Sequence, residues 1–164
     1  RVITFPDYSP MIFKDMLESI EMPDEFEEKP RILIFVCEND ALPVFDMAAV
    51  NRQKISSTVR IMPMRCLGGV NLVNVSDALS VGYDGVMFMG CKYGDDYQCH
   101  FSKGSELCNT RLSKVQETIS RLNLEPERIR QFEISMNDYN QLPKIINDFV
   151  EELDQFGPNP FKGL

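Results

Sequence analysis

Residues 31–53 read RILIFVCENDALPVFDMAAVNRQ, and they decide the fold. From Ile32 to Cys37 the run is apolar without a break. A strand with one wet face would alternate, so this one is predicted to be buried on both faces. From Leu42 the pattern turns helical. Pro43 is tolerated there because the first turn of a helix has N–H groups without intrahelical partners. A buried strand that feeds a helix is half of a βαβ unit, which closes with a second strand parallel to the first.

The same alternation continues along the chain. TVRIMPMRC (58–66) reads as a second strand, irregular or near an edge because of Pro63. VNLVNVSDALSVG (70–82) is a helix stopped by Gly82, and GVMFMGC (85–91) is a third buried strand. SELCNTRLSKVQETISRLN (105–123) is a long helix, IRQFEIS (129–135) a fourth strand and YNQLPKIINDFVEELDQF (139–156) a last helix. Four strand–helix units predict an α/β fold: a doubly wound, mostly parallel four-stranded sheet with helices on both faces, of flavodoxin or Rossmann kind. Upstream, Ser9–Pro10 is expected to cap a short helix with Phe13, Met16, Leu17 and Ile20 on one face, and EMPDEFEEKP (21–30) reads as an acidic linker. The expected organisation is an N-terminal helical and acidic segment (1–30), an α/β domain (31–157) and an irregular tail (158–164).

A chain of 164 residues is long enough for one domain with a sizeable core. Its net charge of −8 argues against nucleic acid and anionic membrane as main partners, since both select clustered Lys and Arg. No apolar run approaches the roughly 18 residues that span a bilayer. The five cysteines are an odd number in a chain that is not disulfide-dense, which predicts a reduced, cytoplasmic protein. The chain opens on Arg1 rather than Met, as expected of a piece of a longer protein.

The cysteines are placed by the strands. Cys37, Cys66 and Cys91 fall at the ends of the first three predicted strands, and Cys99 lies in the loop GCKYGDDYQCHF (90–101), which can fold back over them. Ligand sites of open parallel sheets form outside the carboxyl ends of the strands, and neighbouring strands lie about 4.8 Å apart. Cys37, Cys66, Cys91 and Cys99 are therefore candidate metal ligands, four being the number that an iron–sulfur cluster requires. Gly68 and Gly69 beside Cys66, and Gly90 and Gly94 around Cys91, are candidate cofactor-binding residues whose amides can bond cluster sulfur. Helices starting after Cys37 and Cys66 would favour thiolate. The plainer reading is that a free cysteine at a strand end is a small core residue. Cys108 belongs to that class, on a helical stripe with Leu112, Val115, Ile119 and Leu122. His100, the only histidine, is expected at the surface or behind the ligands, because a Rieske centre needs two. Met62, Met64, Met87 and Met89 read as core. Asp95–Asp96 reads as a solvated loop pair, and CLGGVN (66–71) as a weak phosphate cradle. One histidine is poor equipment for acid–base catalysis near neutral pH, so no self-contained hydrolase is expected.

FVCEND (35–40), MRCLGGVN (64–71), GVMFMGCKYGDDYQCHF (85–101) and LNLEPERIRQFEIS (122–135) resemble the delta subunit of methyl-viologen-reducing hydrogenase over roughly Arg31 to Gly157. GDDYQCHF (94–101) and NPFKGL (159–164) resemble in particular the form of that domain at the C-terminal end of the B subunit of quinone-interacting membrane-bound oxidoreductases. The resemblance implies a non-catalytic electron-transfer domain with one 2Fe–2S cluster. Its expected partners are other subunits of a heterodisulfide reductase-like or quinone-interacting complex, including a flavin-containing one. Two departures stand out. The family's C-x-x-C at the first strand end is here Cys37-Glu38-Asn39-Asp40, with Asp40 in place of the second cysteine, and the third-strand loop is longer, with Cys99 as its second cysteine. The alternatives are a docking or scaffold domain without a cofactor, Asp40 having replaced a ligand, and a flavodoxin-like flavin-binding domain with CLGGVN near the phosphate.

Overall fold

Four strands, β1 (Ile32–Cys37), β2 (Val59–Met64), β3 (Gly85–Gly90) and β4 (Ile129–Glu133), form the centre of the computed structural model, which describes residues 8–21, 30–94 and 98–161. All are parallel, in the spatial order β2-β1-β3-β4. The two inner strands are buried at every residue, as their unbroken apolar runs predict, and Phe35 stacks on Phe88 across them at 5.1 Å between centroids. β2 pairs on one side only, the position in a sheet at which Pro63 is tolerated.

Among the described residues five helices cover the sheet: α1 (Pro10–Ser19), α2 (Leu42–Val50), α3 (Leu72–Val81), α4 (Gly104–Arg121) and α5 (Leu142–Phe156). α2 and α5 pack together on one face, while α3 and α4 share the other, with α1 against α3. Local signals place the helix ends. The Ser9 hydroxyl caps α1 by accepting from the Ile12 N–H. Asn71 and Asn74 cap α3 reciprocally, and Gly82 closes it with a left-handed φ of 117°.

From β1 the chain winds outward to β2, then crosses back over the sheet to β3 on the other side of β1. The carboxyl ends of β1 and β3 therefore flank the switch point of the topology, where the two crossover connections part and leave a crevice.

Several elements are shorter than their sequence patterns. β2 stops at Met64, whose carbonyl is taken by the Glu38 N–H, so Cys66 lies beyond the strand. On α4 the apolar stripe is buried at Cys108, Leu112, Val115 and Ile119, but Leu122 is 57% exposed because the helix ends at Arg121. On α1, Phe13 and Leu17 face the core while Met16 stands at its rim. Most of the linker (22–29), Asp95–Asp96 and the last residues (162–164) lie outside the described residues.

The base of the sheet is closed by a polar network. Asp84 accepts the Arg31 N–H (2.9 Å) and the Asn159 N–H (2.8 Å). Arg128, also buried, donates to the carbonyls of Asp84 and Gly157. The Asn159 amide donates to the carbonyls of Leu79 (2.8 Å) and Tyr83 (2.9 Å), pinning the segment after α5 to the end of α3. Asn159→Ala leaves both buried carbonyls without this donor. It is expected to lower stability by about 3 kcal/mol, read as a lower urea midpoint at unchanged slope.

Candidate functional site

Cys37 closes β1 and Cys91 follows β3, so strand pairing at the switch point sets them side by side. Their sulfurs are 3.4 Å apart and both residues are fully buried. The hydrogen bond from Cys91 lowers Cys37 from the usual thiol range to about 6, against the effect of burial, and the backbone N–H groups of Asn39 and Asp40 help. The same contact raises Cys91, with burial and then the Asp40 carboxylate adding to it. The contact thus favours charge on Cys37 and disfavours it on Cys91. α2 does not begin at Cys37: residues 38–41 form a turn first, and it is turn amides rather than a helix end that favour the thiolate.

Cys66 and Cys99 make a second pair. After Cys66 the chain enters a 3-10 turn (Leu67–Gly69), and the Gly68 N–H donates to the Cys66 sulfur at 3.4 Å. The Gly104 N–H, at the start of α4, donates to the Cys99 sulfur at 3.3 Å. Both sulfurs border Gly104: a Cβ built there would lie 2.3 Å from the Cys66 sulfur and 3.1 Å from that of Cys99. Burial pushes Cys66 up to about 11, opposed by the Gly68 N–H and reinforced by the negative charge of Cys99 and of Cys37. The two pairs are therefore neighbours on one sheet edge. A positive helix end does meet the site, but it is that of α4, beyond the loop.

The remaining candidates divide by position. Gly90 lets the first turn of α4 approach β3, since a Cβ there would fall 2.5 Å from the Ser105 hydroxyl. The Gly69 N–H is bonded to the Cys66 carbonyl and the Val70 N–H to that of Leu67, which leaves CLGGVN without those two amides for a phosphate. Gly94 has a φ of 84° and open space around it. His100 is exposed. Asp40 lies beside Cys91, and its carboxylate helps to raise that thiol. Cys108 is core, raised to about 12 by burial, and sits one turn along α4 from Gly104. Among the described residues no three Cys, His, Asp or Glu side chains converge as one metal ion would require. The sulfurs stand as two pairs.

Two residues that matter here escaped the sequence reading. Gly104 was hidden as an ordinary residue before a helix. Arg111 donates to the carbonyls of Gly68 and Val70 and so holds the Cys66 turn against α4. The signal for both was their spacing: Gly104, Cys108 and Arg111 follow at steps of four and three, on one helix face.

Fold and site together define a small doubly wound α/β domain whose switch point is lined with paired thiols. The chain belongs to the family described as methyl-viologen-reducing hydrogenase, delta subunit, which residues 32–157 match. It is 29% identical over 141 residues to the iron-sulfur D subunit of the F420-non-reducing hydrogenase of Archaeoglobus profundus, covering 86% of this chain and 99% of that one. It is 30% identical over 129 residues to the A subunit of the ferredoxin/F420H2-dependent CoB-CoM heterodisulfide reductase of Methanosarcina acetivorans, covering 79% of this chain and 16% of that relative. The chain thus corresponds to about a sixth of that longer protein. The vhu iron-sulfur D subunit of the F420-non-reducing hydrogenase of Methanocaldococcus jannaschii is 26% identical over 133 residues, 81% of this chain and 97% of the relative.

Cys108 carries a pH prediction. Folded, it titrates at about 12; in an unfolded chain a thiol titrates near 8.5. Below about 8.5 it is protonated in both states, and above that only the unfolded chain ionises. Stability is therefore lost as pH rises from about 8.5 towards 12, by up to about 1.4 kcal/mol per unit from this group. Urea unfolding of the reduced chain between pH 8 and 10 should show that slope, and Cys108→Ala should be shallower by this share while less stable throughout.

Proposed function

We propose that this chain is an electron-transfer domain of a larger oxidoreductase complex, holding a 2Fe–2S cluster on Cys37 and Cys91 from one side and Cys66 and Cys99 from the other. The observation that carries this reading is the arrangement of the four sulfurs as two adjacent pairs. A single metal ion takes three or four converging donors, whereas a two-iron cluster takes two protein ligands per iron. The surroundings fit as well. The N–H groups of Gly68 and Gly104 already donate to sulfur, and those of Asn39 and Asp40 favour charge on Cys37. When bound, the cluster would supply one-electron transfer. The chain's own residues would hold it, donate hydrogen bonds to sulfur and limit water at the buried Cys37–Cys91 side, which together tune a potential. No substrate is turned over in this domain.

The relatives' names support components of hydrogenase or heterodisulfide reductase complexes as partners, and the family resemblance implies a flavin-containing one among them. The loop and tail motifs favour a quinone-interacting oxidoreductase as the complex. The proposed location is the cytoplasm, with any membrane association made through other subunits; among the described residues no helix is long and apolar enough to cross a membrane. One observation favours a second reading, a docking domain without the cluster: Asp40 stands where the family's second cysteine would be.

Anaerobic reconstitution with iron and sulfide separates the two. The expected result is about two irons and two acid-labile sulfides per chain, with an S = 1/2 signal after dithionite reduction. Alanine at Cys37, Cys66, Cys91 or Cys99 should each abolish or strongly reduce uptake, while Cys108→Ala should not. A folded chain that takes up no iron would leave the docking reading.

A further inference from the structure

We propose that Gly104 is the residue that seats Cys66 and Cys99 as a pair: the Cys66 sulfur uses the space that a side chain at 104 would fill, and the Gly104 N–H holds Cys99. The inference rests on the reading of these cysteines as ligands, and it adds a positioning residue to that site.

Glycine at 104 has no backbone reason. The residue lies in the first turn of α4, and its φ is not in the left-handed region that Gly82, Gly94 and Gly157 adopt. Alanine is the better helix former at such a position. Space supplies the reason instead. A Cβ would stand 2.3 Å from the Cys66 sulfur, well inside any real contact, and 3.1 Å from the Cys99 sulfur. Neither sulfur is the free end of a long side chain. Cys66 is held by the Gly68 N–H, and its turn is gripped by Arg111 further along the same helix. The opposing backbone is close as well: a Cβ at Gly68 would come within 3.2 Å of the Gly104 Cα. Two glycines thus face each other where the 66–69 turn meets α4, and the contact works only because both lack side chains. Adding a methyl group at 104 must turn the Cys66 sulfur away or lift α4, and lifting α4 withdraws the amide from Cys99.

A double-mutant cycle on the reduced, iron-free 164-residue chain tests the contact without relying on a cluster. Gly104→Ala should lower the thermal midpoint in the native background. In the Cys66→Ala background, where the sulfur is gone, the same substitution should be neutral or raise it. An equal loss in both backgrounds would overturn the inference. Iron analysis gives the second readout: after reconstitution Gly104→Ala should retain less than half the iron of the native chain. Full iron with an unchanged EPR spectrum would also overturn it. If the native chain itself takes up no iron, the ligand reading falls, and the stability cycle alone decides whether Gly104 seats Cys66.

Discussion

The pairing of β1 with β3 is the constraint on which the rest of the molecule depends. Both strands are buried along their whole length, so their register is set by packing on two faces at once. That register aligns Val36 with Met89, so Cys37 comes level with Gly90 and Cys91 follows one residue further on. A slip of one residue would turn Phe35 and Phe88, which now stack, to opposite faces. Core and site are therefore specified by one set of contacts.

The two ends of the sheet hold different kinds of buried polarity. At the base, buried charge is matched by hydrogen bonds: Asp84, Arg128 and Asn159 bind backbone groups and tie the chain after α5 to the body. At the carboxyl end, buried polarity is mostly sulfur. Four thiols gather there, three of them buried, and backbone N–H groups and one another are their partners.

α4 organises half of that end. It supplies an amide to Cys99, space to Cys66 and a guanidinium to the intervening turn. Cys99 comes from the loop between β3 and α4, but its sulfur rests on the first amide of α4. Asp40 sits on the other side, beside Cys91.

Much of this was legible in the sequence. The unbroken run ILIFVC could only be an inner strand, and repeated strand–helix units required a parallel doubly wound sheet. Strand ends then placed Cys37 and Cys91 at one edge, and the period of α4 marked Cys108 as core. These are local properties, fixed by side-chain period and by the reach of a short chain segment. Pairing was not local. Which cysteine meets which, that Gly69 spends its N–H on the Cys66 carbonyl while Gly68 turns its own to the sulfur, and that Asn159 in an irregular tail is buried all depend on segments far apart in the chain. Gly104 shows the difference most directly. Its meaning lies in a volume that it leaves empty, and an empty volume is defined only once another segment has packed against it.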